Sequence, residues 1–404
     1  MHALQKFYCR AFQFVFRVAL PVLPYREPVQ LEGTNAIAPL LLQKDIRSAL
    51  LVTDASVRGL GLTKPLESSL QEQGIACAVY DKTVQNPTID NIEAGRELYL
   101  SSGAQAIIAV GGGSAMDCAK GIGARIARPD KSVQKMRGLL RVLRRTPLSI
   151  AVPTTAGTGS ETTLAAVITD AATRYKYPIN DFVLIPDYAV LDATLTEGLP
   201  PHITATTGMD ALTHAVEAYI GGSTTRLTRA MAEEAARLIA ENLYTAYCDG
   251  HNLTARRNML RAAYCAGIAF TRSYVGYVHG VAHSLGGQYG VPHGLANAVI
   301  LPYFLEAYGP ACHQKLGRLA IAAGIAREGD SPAEASEAFI RWIRKMNASM
   351  GIPESIAQIR REDIPTMAHH ASRESNPLYP VPVLMDEHEL AAMYVKLMPK
   401  EVSE

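Results

Sequence analysis

Two domains are predicted: an α/β domain built on a parallel sheet and, after it, a domain made of helices alone. Three observations predict them. Short apolar runs alternate with helical stretches up to about residue 196, the pattern of a parallel sheet covered on both faces. Two of those runs open directly into loops of glycine, serine and threonine. Beyond residue 197 strand patterning stops, and segments rich in Ala, Leu, Met and Arg, which favour helix, take over. At 404 residues the chain can bury a large core without disulfides or a structural metal.

Residues 7–24 (FYCRAFQFVFRVALPVLP) are apolar with interspersed basic groups. A secretory leader needs an unbroken apolar stretch and a small-residue cleavage site. Here Arg10, Gln13 and Arg17 interrupt the run, and Pro21 and Pro24 end it. The run is also shorter than the roughly 20 apolar residues of a spanning helix. An amphipathic segment is therefore expected over residues 1–30, packed on its own protein or on a second subunit. Phe, Leu and Arg are also the residues that mediate attachment to a membrane surface, but a membrane partner is not expected.

Residues 49–54 (ALLVTD) read as a buried parallel strand, Gly61 to Gln73 as helix, 75–81 (IACAVYD) as a strand and Asn91 to Ser102 as helix. AQAIIAVGGGS (104–114) reads as a strand running into a glycine turn, and Asp117 to Ala127 as the next helix. LSIAVPTT (148–155) and YAVLD (188–192) read as further strands. Residues 205–220, 226–247, 254–270, 311–326 and 332–350 read as helices. The domains are accordingly set at 31–196 and 197–404, and ligands commonly bind between two such domains.

Lys and Arg number 39 against 38 Asp and Glu. That balance leaves no concentrated basic face for nucleic acid. Cys9, Cys77, Cys118, Cys248, Cys265 and Cys312 are scattered, with no CxxC pair. They read as free thiols of a reducing, cytoplasmic compartment.

Gly111, Gly112, Gly113 and Ser114 follow a buried strand and precede a helix. Adjacent glycines let backbone N–H groups approach an anion, and the helix N-terminus adds partial positive charge, so a pyrophosphate suits the spot. The spacing is not the usual GxGxxG fingerprint. PTTAGTGSETT (153–163) is a second such loop, offering the hydroxyls of Thr154, Thr155, Thr158 and Thr163. Two loops after two strands of one sheet could grip one dinucleotide; a glycine-rich turn and a plain capping loop are the alternatives. Asp54, just past the first strand, either hydrogen-bonds a ribose 2′-hydroxyl, favouring NAD over NADP, or simply caps a helix.

In the helical half, Asp210 and His214 are four apart and share a helix face, as do His279 and His283, and His293 follows a glycine-rich bend. Imidazoles with one carboxylate suit Zn²⁺ or Fe²⁺.

With these residues in view, the sequence resembles the iron-containing (group III) alcohol dehydrogenase family. The motifs that carry the resemblance are GGGSAMDCAK (111–120), PTTAGTGSE (153–161), GMDALTHAVEAY (208–219) and HGVAHSLGGQYGVPHGLANAVILP (279–302), and the similarity runs from about residue 30 to the C-terminus. The resemblance implies an α/β dinucleotide-binding domain, an all-α metal-binding domain of the dehydroquinate synthase-like fold, and a site in the cleft. It implies a metal held by Asp210, His214, His279 and His293, with His283 a nearby histidine of the substrate pocket. It also implies a nicotinamide cofactor on Asp54, Asn86, Gly111 to Ser114, Asp117, Thr154 to Thr158, Thr163 and Lys176. Members are usually dimers or larger. The chain departs from the family at VQLEGTNAIAPL (29–40), which follows a longer apolar leader.

The expected reaction is hydride transfer between nicotinamide and a small alcohol, diol or aldehyde, with the metal polarising the substrate oxygen and His283 relaying the alcohol proton. Glycerol dehydrogenase-like polyol oxidation is the second enzyme reading. A dehydroquinate synthase would need a set of phosphate- and carboxylate-binding Lys and Arg that is not seen, and a maleylacetate reductase-like enzyme would lack the metal ligands. A non-catalytic interaction module is the reading from another class, and the intact metal and cofactor residues argue against it. Phe270, Tyr274 and Tyr277 precede the first cleft histidine and belong either to the pocket or to the core.

Overall fold

The structure, a computed structural model, describes residues 1–172 and 175–399. Positions 400–404 of the expected helical domain lie outside them. The chain divides into one unit of residues 24–198 and a second of residues 1–23 with 199–404. The N-terminal segment is thus part of the helical unit.

In the α/β unit the strands are β1 (Val29–Leu31), β2 (Ser48–Val52), β3 (Ala76–Tyr80), β4 (Ala106–Gly111), β5 (Gly138–Leu139), β6 (Leu148–Pro153), β7 (Ala165–Asp170), β8 (Tyr175–Asn180) and β9 (Tyr188–Val190). Six of them form one sheet, ordered β1-β9-β6-β4-β2-β3, in which every pairing is parallel. The strands are apolar runs because both faces are covered. Leu50, Val52, Ile107 and Ala109 point into one core; their neighbours Ala49, Leu51, Ile108 and Val110 point into the other. The period of two thus splits each strand between two hydrophobic layers.

The unit's helices are α2 (Ile37–Gln43), α3 (Ala55–Gly59), α4 (Lys64–Glu72), α5 (Ile89–Ser101) and α6 (Gly113–Ala127), after α1 (Ala3–Ala19) of the other unit. The helix expected over 61–73 is α4, which starts three residues later because Gly61 adopts φ 75°, a left-handed turn that separates it from the short α3 before it. α6 begins at Gly113, inside the glycine motif, so Ser114 and Asp117 lie in its first turns. The second sheet, β5-β8-β7, was not anticipated: β7 and β8 pair antiparallel from Ala165↔Asn180 to Asp170↔Tyr175. Pro178 inside β8 hides that strand from a propensity reading.

The other unit contains α1 and α7 (Pro201–Ile220), α8 (Arg226–Cys248), α9 (Leu253–Ser273), α10 (Tyr277–Tyr289), α11 (His293–Tyr308), α12 (Pro310–Ala322), α13 (Pro332–Ser349), α14 (Ile364–Ser375) and α15 (Glu387–Leu397). Among its described residues there is no strand. α7 is the central helix, buried over most of its length and packed on α8, α9 and α11. Gly294 makes the last contact possible: a Cβ there would lie 2.5 Å from the Thr206 carbonyl oxygen.

Candidate functional site

In the α/β unit, β4 and β6 end side by side, Gly111 opposite Pro153, so their two loops leave the sheet together. The Thr154 amide donates to the Gly111 carbonyl at 3.0 Å. A Cβ at Gly112 would come 3.5 Å from Thr155 Oγ1, and one at Gly113 only 3.0 Å from Thr158 Cγ2. The glycines therefore leave a cradle lined by backbone and threonine hydroxyls, at the start of α6, where an anion finds unpaired N–H groups. The chemistry and space fit a dinucleotide's phosphates.

Asp54 caps α3, its Oδ1 accepting the Ser56 and Val57 amides at 2.9 Å each. The cap alone thus accounts for one oxygen; the other faces Gly111, 3.6 Å from where a Cβ would stand. Asn86 is held at φ 57° by its amide bond to Ser114 Oγ (3.2 Å), and its Oδ1 accepts from Lys176 Nζ at 2.7 Å. Asn86, Ser114 and Lys176 are therefore together beside the cradle.

Asp117 and Thr163 turn inward instead. Asp117 accepts from Ser160 Oγ at 2.9 Å and from the Val167 amide at 3.1 Å. Thr163 Oγ1 faces Lys120 Nζ at 2.8 Å. Lys120 is the residue that sequence reasoning missed, although it closes the GGGSAMDCAK motif. Its buried ammonium lies within 3.0 Å of the Ser160, Thr163 and Ala165 carbonyls and of the hydroxyls of Ser160 and Thr163. Burial lowers its pKa to about 8, opposed by Asp117 and Glu161. Burial also raises Glu161 to about 7. Lys120 ties the second loop to the helix that follows the first.

In the helical unit, Asp210 and His214 of α7, His279 of α10 and His293 at the start of α11 bring one donor atom each within 4.8 Å of one another. Asp210, His214 and His279 are buried. His214 is stacked between Phe270 (ring centroids 4.2 Å) and His279 (4.6 Å). His279 Nδ1 lies 2.6 Å from Glu217 Oε2, which turns Nε2 toward the cluster. Glu217 Oε1 accepts the Val278 amide at 2.9 Å. Burial, then the neighbouring histidines, drive the His279 pKa well down, to the neutral imidazole that ligates a metal.

Asn297 shows that these donors suit a cation. Its Nδ2 sits 2.6 Å from Asp210 Oδ1, 3.2 Å from His279 Nε2 and 3.1 Å from His293 Nε2. Its Oδ1 is buried with no hydrogen-bond partner. A partly positive nitrogen thus occupies the focus of three donors, and three imidazoles with one carboxylate are the set that Fe²⁺ and Zn²⁺ accept.

His283 is beside the cluster, its ring stacked on His293 at 5.2 Å. Its Nδ1 lies 2.6 Å from Glu374 Oε1, which also accepts from the Tyr379 hydroxyl at 2.7 Å. Desolvation pulls the Glu374 carboxyl up, but His283 and Tyr379 outweigh it and keep it ionised. Phe270 touches the cluster, whereas Tyr277 is core, its hydroxyl bonded to Asn376 Oδ1 and Met385.

Glu217 and Asn297 lie within the quoted 208–219 and 279–302 motifs, and Asn297 is one helical turn from His293, but nothing along the chain announces that Glu217 faces His279 or that Glu374 faces His283. The Glu217 contact yields a test. Burial raises the Glu217 carboxyl pKa to about 8. Glu217→Gln keeps the shape but puts an amide NH₂ in place of one carboxyl oxygen, and such orienting partners are worth about 10–100-fold in metal affinity. Competition with a chromophoric chelator should show a loss of that order; an unchanged affinity would mean that the carboxylate does not orient His279.

Residues 31–193 match the iron-containing alcohol dehydrogenase family, and residues 204–398 match the C-terminal region of the same family. Alcohol dehydrogenase 4 of Saccharomyces cerevisiae (strain YJM789) is 37% identical over 358 residues, covering 87% of this chain and 92% of the relative. The 1,3-propanediol dehydrogenase of Citrobacter freundii is 39% identical over 352 residues, covering 86% and 90%. The crystal structure of a 1,3-propanediol oxidoreductase superposes with a TM-score of 0.89 at 36% identity, covering 93% of this chain and 99% of that one.

Proposed function

The chain belongs to the iron-containing alcohol dehydrogenase family and is an alcohol–aldehyde oxidoreductase, and from that premise we propose which of its residues do what. Asp210, His214, His279 and His293 hold a divalent ion, Fe²⁺ or Zn²⁺. Gly111 to Ser114 with Thr154, Thr155 and Thr158 take the phosphates of NAD, beside Asn86 and Lys176, and Asp54 favours NAD over NADP by repelling a 2′-phosphate. When bound, the ion polarises the substrate oxygen and the nicotinamide carries the hydride.

His283 moves the proton. With Nδ1 committed to Glu374, the proton of the neutral ring sits on Nδ1 and Nε2 is left as the base. In alcohol oxidation Nε2 takes the hydroxyl proton, and the Glu374 carboxylate steadies the resulting imidazolium. In aldehyde reduction the same atom returns it. Asp117 and Thr163 act indirectly, by holding the second loop through Lys120 and Ser160. The resemblance supports a homodimer or larger assembly, and six cysteines without a disulfide support a reducing, cytoplasmic setting.

One observation carries this reading: donors from three helices converge within 4.8 Å. To test it, metal-stripped protein is reconstituted anaerobically with Fe²⁺ or Zn²⁺. NADH and NADPH consumption is then followed with short aldehydes, and 1,2- and 1,3-diols are offered in reverse. Metal-dependent turnover preferring NADH is expected. Equal turnover without metal would overturn the ligand assignment, and preference for NADPH would overturn the role of Asp54.

A further inference from the structure

α1 is amphipathic, and the fold turns it with its apolar side outward. Cys9, Gln13, Phe16 and Leu20 recur at helical spacing and form the docked stripe. Gln13 Nε2 donates to the carbonyls of Pro377 (3.1 Å) and Tyr379 (2.7 Å). Arg10 donates to those of Val381 and Pro382, both at 2.8 Å. Phe16 meets Tyr274 edge-on at 4.9 Å. The opposite stripe comprises Leu4, Phe7, Phe14, Val15, Val18 and, in the turn that continues the helix, Val22. These six side chains are 62–82% exposed. A helix on a water-facing surface normally shows its polar side to solvent, and a contiguous apolar face of this size marks a binding surface.

Charge identifies what covers it. Lys6, Arg10 and Arg17 are the only charged side chains of α1, and all are basic. Arg17 adds to a positive group with Lys315 and Arg229; burial and then these like charges lower the Lys315 pKa. A second copy of α1 laid against the first would bring cations together with no acid on either helix to pair them. An anionic lipid surface answers both features, apolar chains for the phenylalanine and valine face and headgroup phosphates for the cations flanking it. No described helix is long and apolar enough to cross a membrane, so the contact is with one leaflet.

We infer that α1 docks the protein on an anionic bilayer surface, with Phe7, Phe14 and Val18 entering the headgroup–acyl boundary and Lys6 and Arg17 meeting phosphates. This departs from the expectation of no membrane partner while keeping that of a helix packed on its own protein: it is so packed, by the stripe that leaves the apolar face outside.

The test is vesicle flotation of the full-length, metal-loaded protein. Vesicles of phosphatidylglycerol with phosphatidylcholine are compared with phosphatidylcholine alone, at low and high salt. A triple variant, Phe7→Ser with Phe14→Ser and Val18→Ser, is run in parallel. Those side chains are exposed, so the variant should fold and keep its turnover in solution. The expected result is flotation on the anionic vesicles, weakened by salt, and about tenfold or more weaker in the variant. Three results would overturn the inference. One is no flotation of the unaltered protein on anionic vesicles. Another is equal flotation of the variant. The third is a smaller assembly for the variant in sedimentation, which would assign the face to a second copy of the chain.

Discussion

His293→Ala is expected to abolish tight binding of the divalent ion and, with it, turnover, while leaving the fold intact. His293 is the first residue of α11, after Pro292, and its side chain is 35% exposed. Little packing is lost on truncation, and substitutions at such partly exposed positions usually change stability by only about 0.5 kcal/mol. The loss of a donor is a different matter. Three protein donors would remain, and the effect should exceed the about 10–100-fold typical of a residue that only orients a ligand. Metal content after dialysis, by elemental mass spectrometry, and the thermal midpoint together separate the outcomes. A metal-poor protein whose midpoint equals that of the metal-stripped unaltered protein is expected, since a bound ion itself raises the midpoint. A variant that retains its metal and its activity would remove His293 from the ligand set.

Lys120→Met is expected to destabilise the α/β unit strongly. Methionine has similar length and no charge. It would leave the Ser160, Thr163 and Ala165 oxygens without their donor, and Asp117 and Glu161 without their cation. Removing one member of a buried, hydrogen-bonded charge group typically costs about 3–5 kcal/mol. The denaturant midpoint should fall accordingly, with transition steepness retained if unfolding stays cooperative. Because Lys120 also tethers the 153–163 loop, NADH affinity measured below the transition should fall too. Lys120→Arg is an informative companion: a planar guanidinium cannot reproduce the compact cluster of contacts, so it should rescue only part of the loss. An unaltered midpoint in Lys120→Met would show that the ammonium's contacts offset no more than its own desolvation.

How much of this could be read along the chain depends on the range of each interaction. The parallel strands were legible because both faces are buried, so ALLV and AIIAV stand out as apolar runs. The β7–β8 hairpin was not, since its residues alternate weakly and Pro178 interrupts the pattern; cross-strand pairing sustains it. Asp210 and His214 were legible as neighbours because one turn of one helix separates them. So was the adjacency of the glycine turn to a helix. Glu217 and His279 are 62 residues apart in the chain, and Glu374 and His283 are 91 apart. No local period encodes such pairs, and only the packing of α7 and α10 on the shared helix α11, and of α10 on α14, brings them within hydrogen-bond reach.

By itself, the sequence determined the order of the two domains, the two small-residue loops, the i,i+4 pairs of candidate ligands and the family. These are properties of spacing along a strand or helix, where backbone geometry converts sequence separation directly into direction. Tertiary structure alone decided which side chains face those ligands, that Asp117 and Thr163 turn toward Lys120, and that α1 lies with its apolar stripe in solvent. Each of these depends on which faces pack against one another. A helix's own sequence says that it has two faces; only the partner surface, here the 377–382 carbonyls that accept from Gln13 and Arg10, says which of them is covered.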